Sequence, residues 1–287
     1  MNKTFFILYC LTIHLVGLSI DNFKDEQARQ IFKKLLIKND QEKTMDSLQI
    51  DNTKINCLDG FEQLKTLKNL SLKDNLITFI APLLQLPHLK VLDLSHNQIK
   101  VPSNITSLKS LEQLDLSHNE IKWAFLCSFE SLKNLNLNHN KLQQLIFVNN
   151  FNKRLESLDI SHNPLNNIAF NHLPSLKNFK ADNTFLKDLK GIENAQNLEV
   201  LSLENCIHLH SIKSLFIQLG DTYACRLPNL KKLIITDNFL DDESKKIMAH
   251  FRNTHSATSS KQTSIAPTKN KIYSPKQSIQ KTPSPHI

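Results

Sequence analysis

Over residues 89–99 the chain reads LKVLDLSHNQI. Leu92 and Leu94 fall on one face of an extended stretch, and Val91 and Asp93 fall on the other. A period of two marks a short, half-buried strand. The spelling L-x-x-L-x-L-x-x-N-x-(L/I) begins in degenerate form at Met45. It returns at Leu67, Leu89, Leu111, Leu132, Leu155, Leu176, Leu198 and Leu230, at intervals of 22, 22, 22, 21, 23, 21, 22 and 32 residues. After each strand a segment with its own spaced apolar residues, such as Pro102, Ile105 and Leu108, carries the chain back to the next. A single unit cannot cover its apolar face, whereas stacked units bury it continuously, so the pattern predicts a solenoid. Five or six buried aliphatic or aromatic side chains per unit give a gross gain on the order of 10 kcal/mol per repeat before chain entropy is subtracted.

The asparagine column, Asn75, Asn97, Asn119, Asn140, Asn163 and Asn238, is expected to turn inward and satisfy backbone groups left unpaired at the bend. Thr184 and Cys206 replace it in two repeats and should do so less completely. LKVLDLSHNQI and LEQLDLSHNEI resemble the strand consensus of the leucine-rich-repeat family almost letter for letter. The resemblance extends over residues 45–242, some two thirds of the chain. It implies an α/β repeat solenoid, a leucine-rich-repeat horseshoe with a parallel β-sheet on the concave face and helical caps. It also implies a protein-binding scaffold, with no particular ligand.

Both ends of a solenoid expose a core edge that needs covering. Residues 20–44 are expected to supply an amino-terminal cap helix, because Ala28, Ile31, Phe32, Leu35 and Leu36 share one helical face. Residues 241–253 open with acids and close with basic and apolar residues, the polarity of a carboxy-terminal cap helix. The repeat at Leu198 is about ten residues longer than its fellows, and the spacing of Ile212, Leu215, Phe216 and Leu219 predicts an inserted helix. Residues 254–287 are rich in Ser, Thr, Lys and Pro without apolar periodicity, and they read as a disordered basic tail. Ser274-Pro275, Thr282-Pro283 and Ser284-Pro285 in it resemble proline-directed kinase sites.

With 287 residues, 40% hydrophobic and 22% charged, the chain is long and apolar enough for a sizeable core. The net charge of +8 raises a nucleic-acid reading, but Lys3 and the five tail lysines carry six of those charges, leaving about +2 for the body. No nucleic acid is therefore expected as partner. Only 4 glycines are present, and neither GxGxxG nor GxxxxGK occurs, so no phosphate cradle, cofactor or small-molecule substrate is expected. Nor is there an HExxH, a CxxC or a nucleophile motif, and the chain does not read as an enzyme.

Residues 1–19 join Lys3 to an apolar run that ends in Gly17-Leu18-Ser19, a pattern suited to a signal peptide cut after Ser19. The run is short for a membrane span, and a membrane enters only if it is retained. Cleavage removes Cys10 and leaves Cys57, Cys127, Cys206 and Cys225. Cys57 and Cys127 fall three repeats apart, about 14 Å, too far for a disulfide. Cys206 and Cys225 are left as a pair or, given the inward place of Cys206, as free thiols. Sequons stand at Asn69 and Asn104, the latter at a loop and thus the more accessible. A secreted location follows from the leader. The cytoplasmic alternative follows from the absence of the cysteine-clustered caps usual in secreted animal relatives, and from resemblance to the 22-residue phosphatase-regulator type.

The outward positions of the strands supply the candidate binding residues. Asp46, Lys68, Lys90, Glu112, Lys133, Glu156, Lys177, Glu199 and Lys231 alternate in sign from Lys90 onward and read as a structural ladder. Asp93, Asp115, Asn136 and Asp159 bring three acids onto the middle of the sheet, beside the stacked column His96, His118, His139 and His162. Four aligned imidazoles raise a metal site, but nothing in the repeat makes them converge, and no metal is expected. Trp123 lies just past a strand and reads as packing. The expected partner is a protein ligand on the concave face, with the acids favouring a basic one.

Overall fold

The computed structural model describes residues 19–38, 46–102, 104–125, 129–146, 153–168, 170 and 173–255. Residues up to Thr254 form one compact unit, and the chain from His255 is a second. Outside the described residues lie residues 1–18 of the expected leader, Met45, Cys127 and all of the tail beyond residue 255. The side chains of Leu35, Leu36 and Asn238 also lie outside them.

In chain order the strands are β1 (Ser47–Gln49), β2 (Asn69–Ser71), β3 (Val91–Asp93), β4 (Gln113–Asp115), β5 (Trp123–Phe125), β6 (Asn134–Asn136) and β7 (Gln144–Ile146). There follow β8 (Ser157–Asp159), β9 (Asn178–Lys180), β10 (Val200–Leu203), β11 (Phe216–Leu219), β12 (Thr222–Cys225) and β13 (Lys232–Ile235). Nine of these, one per repeat, form a sheet in the order β1-β2-β3-β4-β6-β8-β9-β10-β13. All the pairings are parallel and in register, so Leu70, Leu92, Leu114, Leu135, Leu158, Phe179 and Leu201 stand in one inward column. Each of these side chains is at most 3% exposed. The sheet and the buried columns behind it are the stacked coils of a solenoid.

The asparagine column does what its chemistry requires. Asn97 donates from Nδ2 to the carbonyls of Leu72 and Leu94, both at 3.0 Å, and its Oδ1 accepts the amide of Ile77 at 2.9 Å. Asn119 repeats the set one coil later, with Leu94, Leu116 and Ile99. Every such amide therefore joins two coils, and Asn75, Asn140 and Asn163 act alike. Thr184 donates to Ala181, within its own repeat, at 2.7 Å, and its hydroxyl lies 3.4 Å from the thiol of Cys206, which itself reaches back to Ala181 at 3.1 Å. The joint there is thinner, as the substitutions imply.

Helices cover both ends. Helix α1 (Glu26–Lys38) buries Ala28, Ile31 and Phe32. Phe32 stacks on Phe23 at 4.1 Å, and both meet the edge of Phe61. Asp25 caps the helix by accepting the amide of Ala28 at 3.0 Å, and its second oxygen accepts the amide of Asn56 at 3.0 Å, pinning the cap to the first coil. Helix α2 (Asp242–His255) buries Ile247, Met248 and Phe251. Asp241 caps it through Ser244, whose own hydroxyl accepts the amide of Ile212.

The inserted helix expected after Ile212 is not formed. The extra length is an antiparallel hairpin of β11 and β12, turned at Gly220 with φ of 62°. Ile212, Leu215, Phe216 and Leu219 have helical spacing, but Phe-Ile-Gln-Leu and Thr-Tyr-Ala-Cys are rich in residues that favour strands, and the glycine between them permits the reversal. Phe216 faces the core at 5% exposed, while Ile217 and Leu219 face solvent. A second small sheet, β5 with β7, was not foreseen either. Three residues past each turn are too few to show a period.

Candidate functional site

The solvent side of the main sheet carries three parallel files of side chains. At the entrance of the strands the alternating charges form an ion-pair ladder. Lys68 meets Asp46 at 2.9 Å, and Glu112 holds both Lys90 at 3.3 Å and Lys133 at 2.7 Å. Glu156 pairs with Lys177 at 2.8 Å, and Glu199 pairs with Lys231 at 2.7 Å. The lysine ammonium groups donate to Glu112, Glu156 and Glu199 and hold all three below the usual carboxylate range. This file is exposed and self-neutralising.

The middle file holds Asp93, Asp115, Asn136, Asp159 and then Lys180, brought side by side by the register of β3, β4, β6, β8 and β9. One oxygen of each acid closes a local turn, with Asp93, Asp115 and Asp159 accepting the amides of Ser95, Ser117 and Ser161 at 2.8, 2.8 and 3.0 Å. Asn136 accepts the amide of Asn138 in the same way at 3.1 Å, so the turn needs an oxygen there and not a charge. Asp115 uses its second oxygen to accept the Asn136 carboxamide at 2.9 Å. Among the described residues the second oxygens of Asp93 and Asp159 have no hydrogen-bond donor. A shallow depression of about 380 Å³ lies over this file, bounded by Asp93, Asp115, Asn136, Asp159 and Lys180 with Gln113, Asn134 and Ser157 between them. Those last three occupy the remaining outward column and were not singled out in the sequence. Tabulating that strand position across the repeats, as was done for the other two, exposes them.

The third file is the histidine column. His96, His118, His139 and His162 stack face to face with ring centroids 4.0, 4.2 and 3.9 Å apart and planes within 12°. All four have left-handed backbone, with φ between 50° and 57°. Asp74 stands beyond one end, 3.7 Å from His96, and Asn183 beyond the other, 3.4 Å from His162. Parallel rings direct their nitrogens in parallel, and among the described residues no group of three or more His, Cys, Asp or Glu side chains is placed to hold a metal ion. Partial burial, followed by the neighbouring rings, lowers the pKa of His118 and His139 against the opposing pull of Asp115 and Asp159.

Other candidate residues stand apart from these files. Asn104 is exposed at the start of a short 3-10 turn. Asn69 is set within the sheet in β2 and donates to Ser47 at 2.9 Å. Cys57, Cys206 and Cys225 are free thiols, so Cys206 and Cys225 do not pair. Burial pushes the thiols of Cys206 and Cys225 up in pKa. Trp123, read as packing, is 52% exposed. Among the described residues no helix is long and apolar enough to cross a membrane.

The leucine-rich-repeat pattern matches residues 66–121 and again 154–179. Internalin C2 of Listeria monocytogenes superposes with a TM-score of 0.62 at 25% identity, covering 77% of this chain and 95% of that one. A second internalin of that organism, inlF, superposes with a TM-score of 0.49 at 19% identity over 84% and 91% of the two chains. Comparison with curated proteins finds no match.

Proposed function

This chain belongs to the leucine-rich-repeat family, and we propose that it is a secreted recognition scaffold whose sheet face, the concave face of such a solenoid, binds a protein ligand. The observation that carries the reading is the depression over β3, β4, β6 and β8, lined by the central acids. Its groups stand on strands locked in register, so a partner meets them without the entropy cost of ordering a loop. Asp93 and Asp159 each offer an oxygen to a cationic side chain, which favours a basic ligand. Asn136 and Asp115 supply a mixed donor and acceptor pair between them. His96, His118, His139 and His162 form the rim and contribute a flat surface of stacked rings. Function here is recognition, with no catalytic constellation required.

Charge can be removed from this face without breaking its turns, since Asn136 already closes its turn with a neutral oxygen. Asp93→Asn with Asp159→Asn should leave folding intact by circular dichroism. Once a ligand is captured, the pair should cost about 1–3 kcal/mol of binding measured by calorimetry. Unchanged affinity in the double variant removes the sheet face from the proposal.

The secreted reading rests on the amino-terminal run and on the exposed sequon at Asn104. Sequencing the mature protein should find its first residue near Ile20. One observation favours the intracellular reading, that of an adaptor or phosphatase-regulating scaffold: three free thiols, one of them built into the asparagine column as a hydrogen-bond donor. An intact Met1 with an unmodified Asn104 supports that alternative.

A further inference from the structure

Beyond the sheet, a second surface is built by repetition. Phe79, Val101 and Trp123 each lie four residues after the inward asparagine of their repeat, and they are 65%, 59% and 52% exposed. The coils that carry them are locked in phase, with Gln98 donating to the carbonyl of Ile77 and Glu120 to that of Ile99, both at 2.9 Å. The three side chains therefore stand in single file on the flank, about 4.8 Å apart per coil. The file ends where Trp123 meets Gln144 in the pairing of β5 with β7. Exposed apolar residues scattered singly need no account, but three in one column of adjacent coils form a patch.

Lys100 and Lys122 precede Val101 and Trp123, both are exposed, and among the described residues neither forms an ion pair. The nearest acid in the bordering column, Glu120, is neutralised by Lys141 at 3.2 Å. We propose that this stripe is a docking site for an acidic amphipathic helix of a partner protein. Residues i and i+7 of a helix are about 10.5 Å apart along its axis, which matches the roughly 10 Å from Phe79 to Trp123, with i+4 falling near Val101. Carboxylates beside those anchors meet Lys100 and Lys122.

The charge pattern argues against the chain's own segments as occupants. Helix α1 carries Arg29, Lys33, Lys34 and Lys38 against one acid, Glu26, and α2 is also net basic. The segment 254–287 has five lysines and no acid. Both helices, moreover, already turn apolar side chains inward.

Trp123 is the single tryptophan of the chain, so its emission reports on this flank alone. A displayed library of helical peptides of roughly 16 residues, long enough to hold a helix, with leucines at i, i+4 and i+7 and randomised flanking positions, would be selected against the full chain. The selected pool should be enriched in Glu and Asp. A synthesised member should shift Trp123 emission to the blue. Phe79→Ser with Val101→Ser should weaken that peptide at least ten-fold without moving the denaturation midpoint, because both sites are solvent-facing. Lys100→Glu with Lys122→Glu should reverse the preference towards basic flanks. The proposal is overturned by a pool without acidic enrichment, or by binding that survives the Phe79 and Val101 substitutions. It also fails if peptide binding is lost in the Asp93→Asn and Asp159→Asn variant, which would place the peptide on the sheet. Phosphatidylserine vesicles that produce the same blue shift would reassign the stripe to a membrane.

Discussion

A single carboxamide illustrates how much one side chain carries in this architecture. Asn119 is 7% exposed, and it satisfies the Ile99 amide and the Leu94 and Leu116 carbonyls at once. Removing it strands the Ile99 amide in a dry interior and leaves the Leu94 and Leu116 carbonyls with one asparagine donor each, Asn97 and Asn140. Asn119→Ala should therefore lower the unfolding free energy by about 2–4 kcal/mol in urea titration. Asn119→Thr should fall between, since Thr184 shows that a hydroxyl keeps one of those bonds. A cost within experimental error would show that water enters and replaces the amide. The histidine ladder makes a second residue-level prediction. His118 and His139 have lowered folded-state pKa values, so the folded chain binds fewer protons than the unfolded one just below the ordinary value of 6.5. Their contribution to stability is full above that value and declines as pH falls through it towards their folded-state values. Ring-proton chemical shifts against pH should place both midpoints below 6.5. A basic ligand on the acidic file should accordingly keep its affinity to lower pH than isolated imidazoles would suggest. Midpoints at or above 6.5 would mean that Asp115 and Asp159 outweigh burial.

Elements are where the sequence was most and least readable. Each main-sheet strand sits inside a repeat set out by the leucine spacing, because a column of buried leucines leaves the pattern unmistakable. Helix α1 was legible from one apolar face, and α2 from the acids at its start and the basic and apolar residues at its end. The hairpin was not, since four apolar residues at helical spacing also suit two strands, and only Gly220 marks the reversal. The sequence named Asp93, Asp115, Asn136 and Asp159 as neighbours, and it missed that one oxygen of each closes a turn. Hydrogen bonds two residues long leave no trace in a column of letters. Two glycines test the element-level account. Gly60 has φ of 101°, and a Cβ there would sit 2.7 Å from the Phe23 backbone, whereas Gly220 has φ of 62° with open space around it. Gly60→Ala should loosen the α1 cap and cost upwards of about 2 kcal/mol, while Gly220→Ala should cost only the backbone penalty of about 1 kcal/mol. Equal costs in parallel urea titrations would mean that Phe23 shifts freely and that the cap is not pinned there.

At the scale of the molecule, two faces emerge with different chemistry. The sheet face is polar and acidic at its centre, and the flank from Phe79 to Trp123 is apolar and basic. The two proposed surfaces share no residue, so the substitutions assigned to each face leave the opposite one untouched. Stability is shared in the same modular way, since every coil touches only its neighbours.

The asparagine joints carry one more consequence, which concerns tension. Bonds that run only from one coil to the next give the molecule no tie between its distant ends. Pulled from both termini in an optical trap, it should lengthen in a staircase and not in one rip, each step releasing one coil of about 22 residues, or roughly 75 Å of chain. The thinner joint at Thr184 and Cys206 should yield before the five asparagine joints ahead of it. A protein built this way behaves under load as a ratcheted tape, letting out length in equal increments while the coils still wound continue to present their faces.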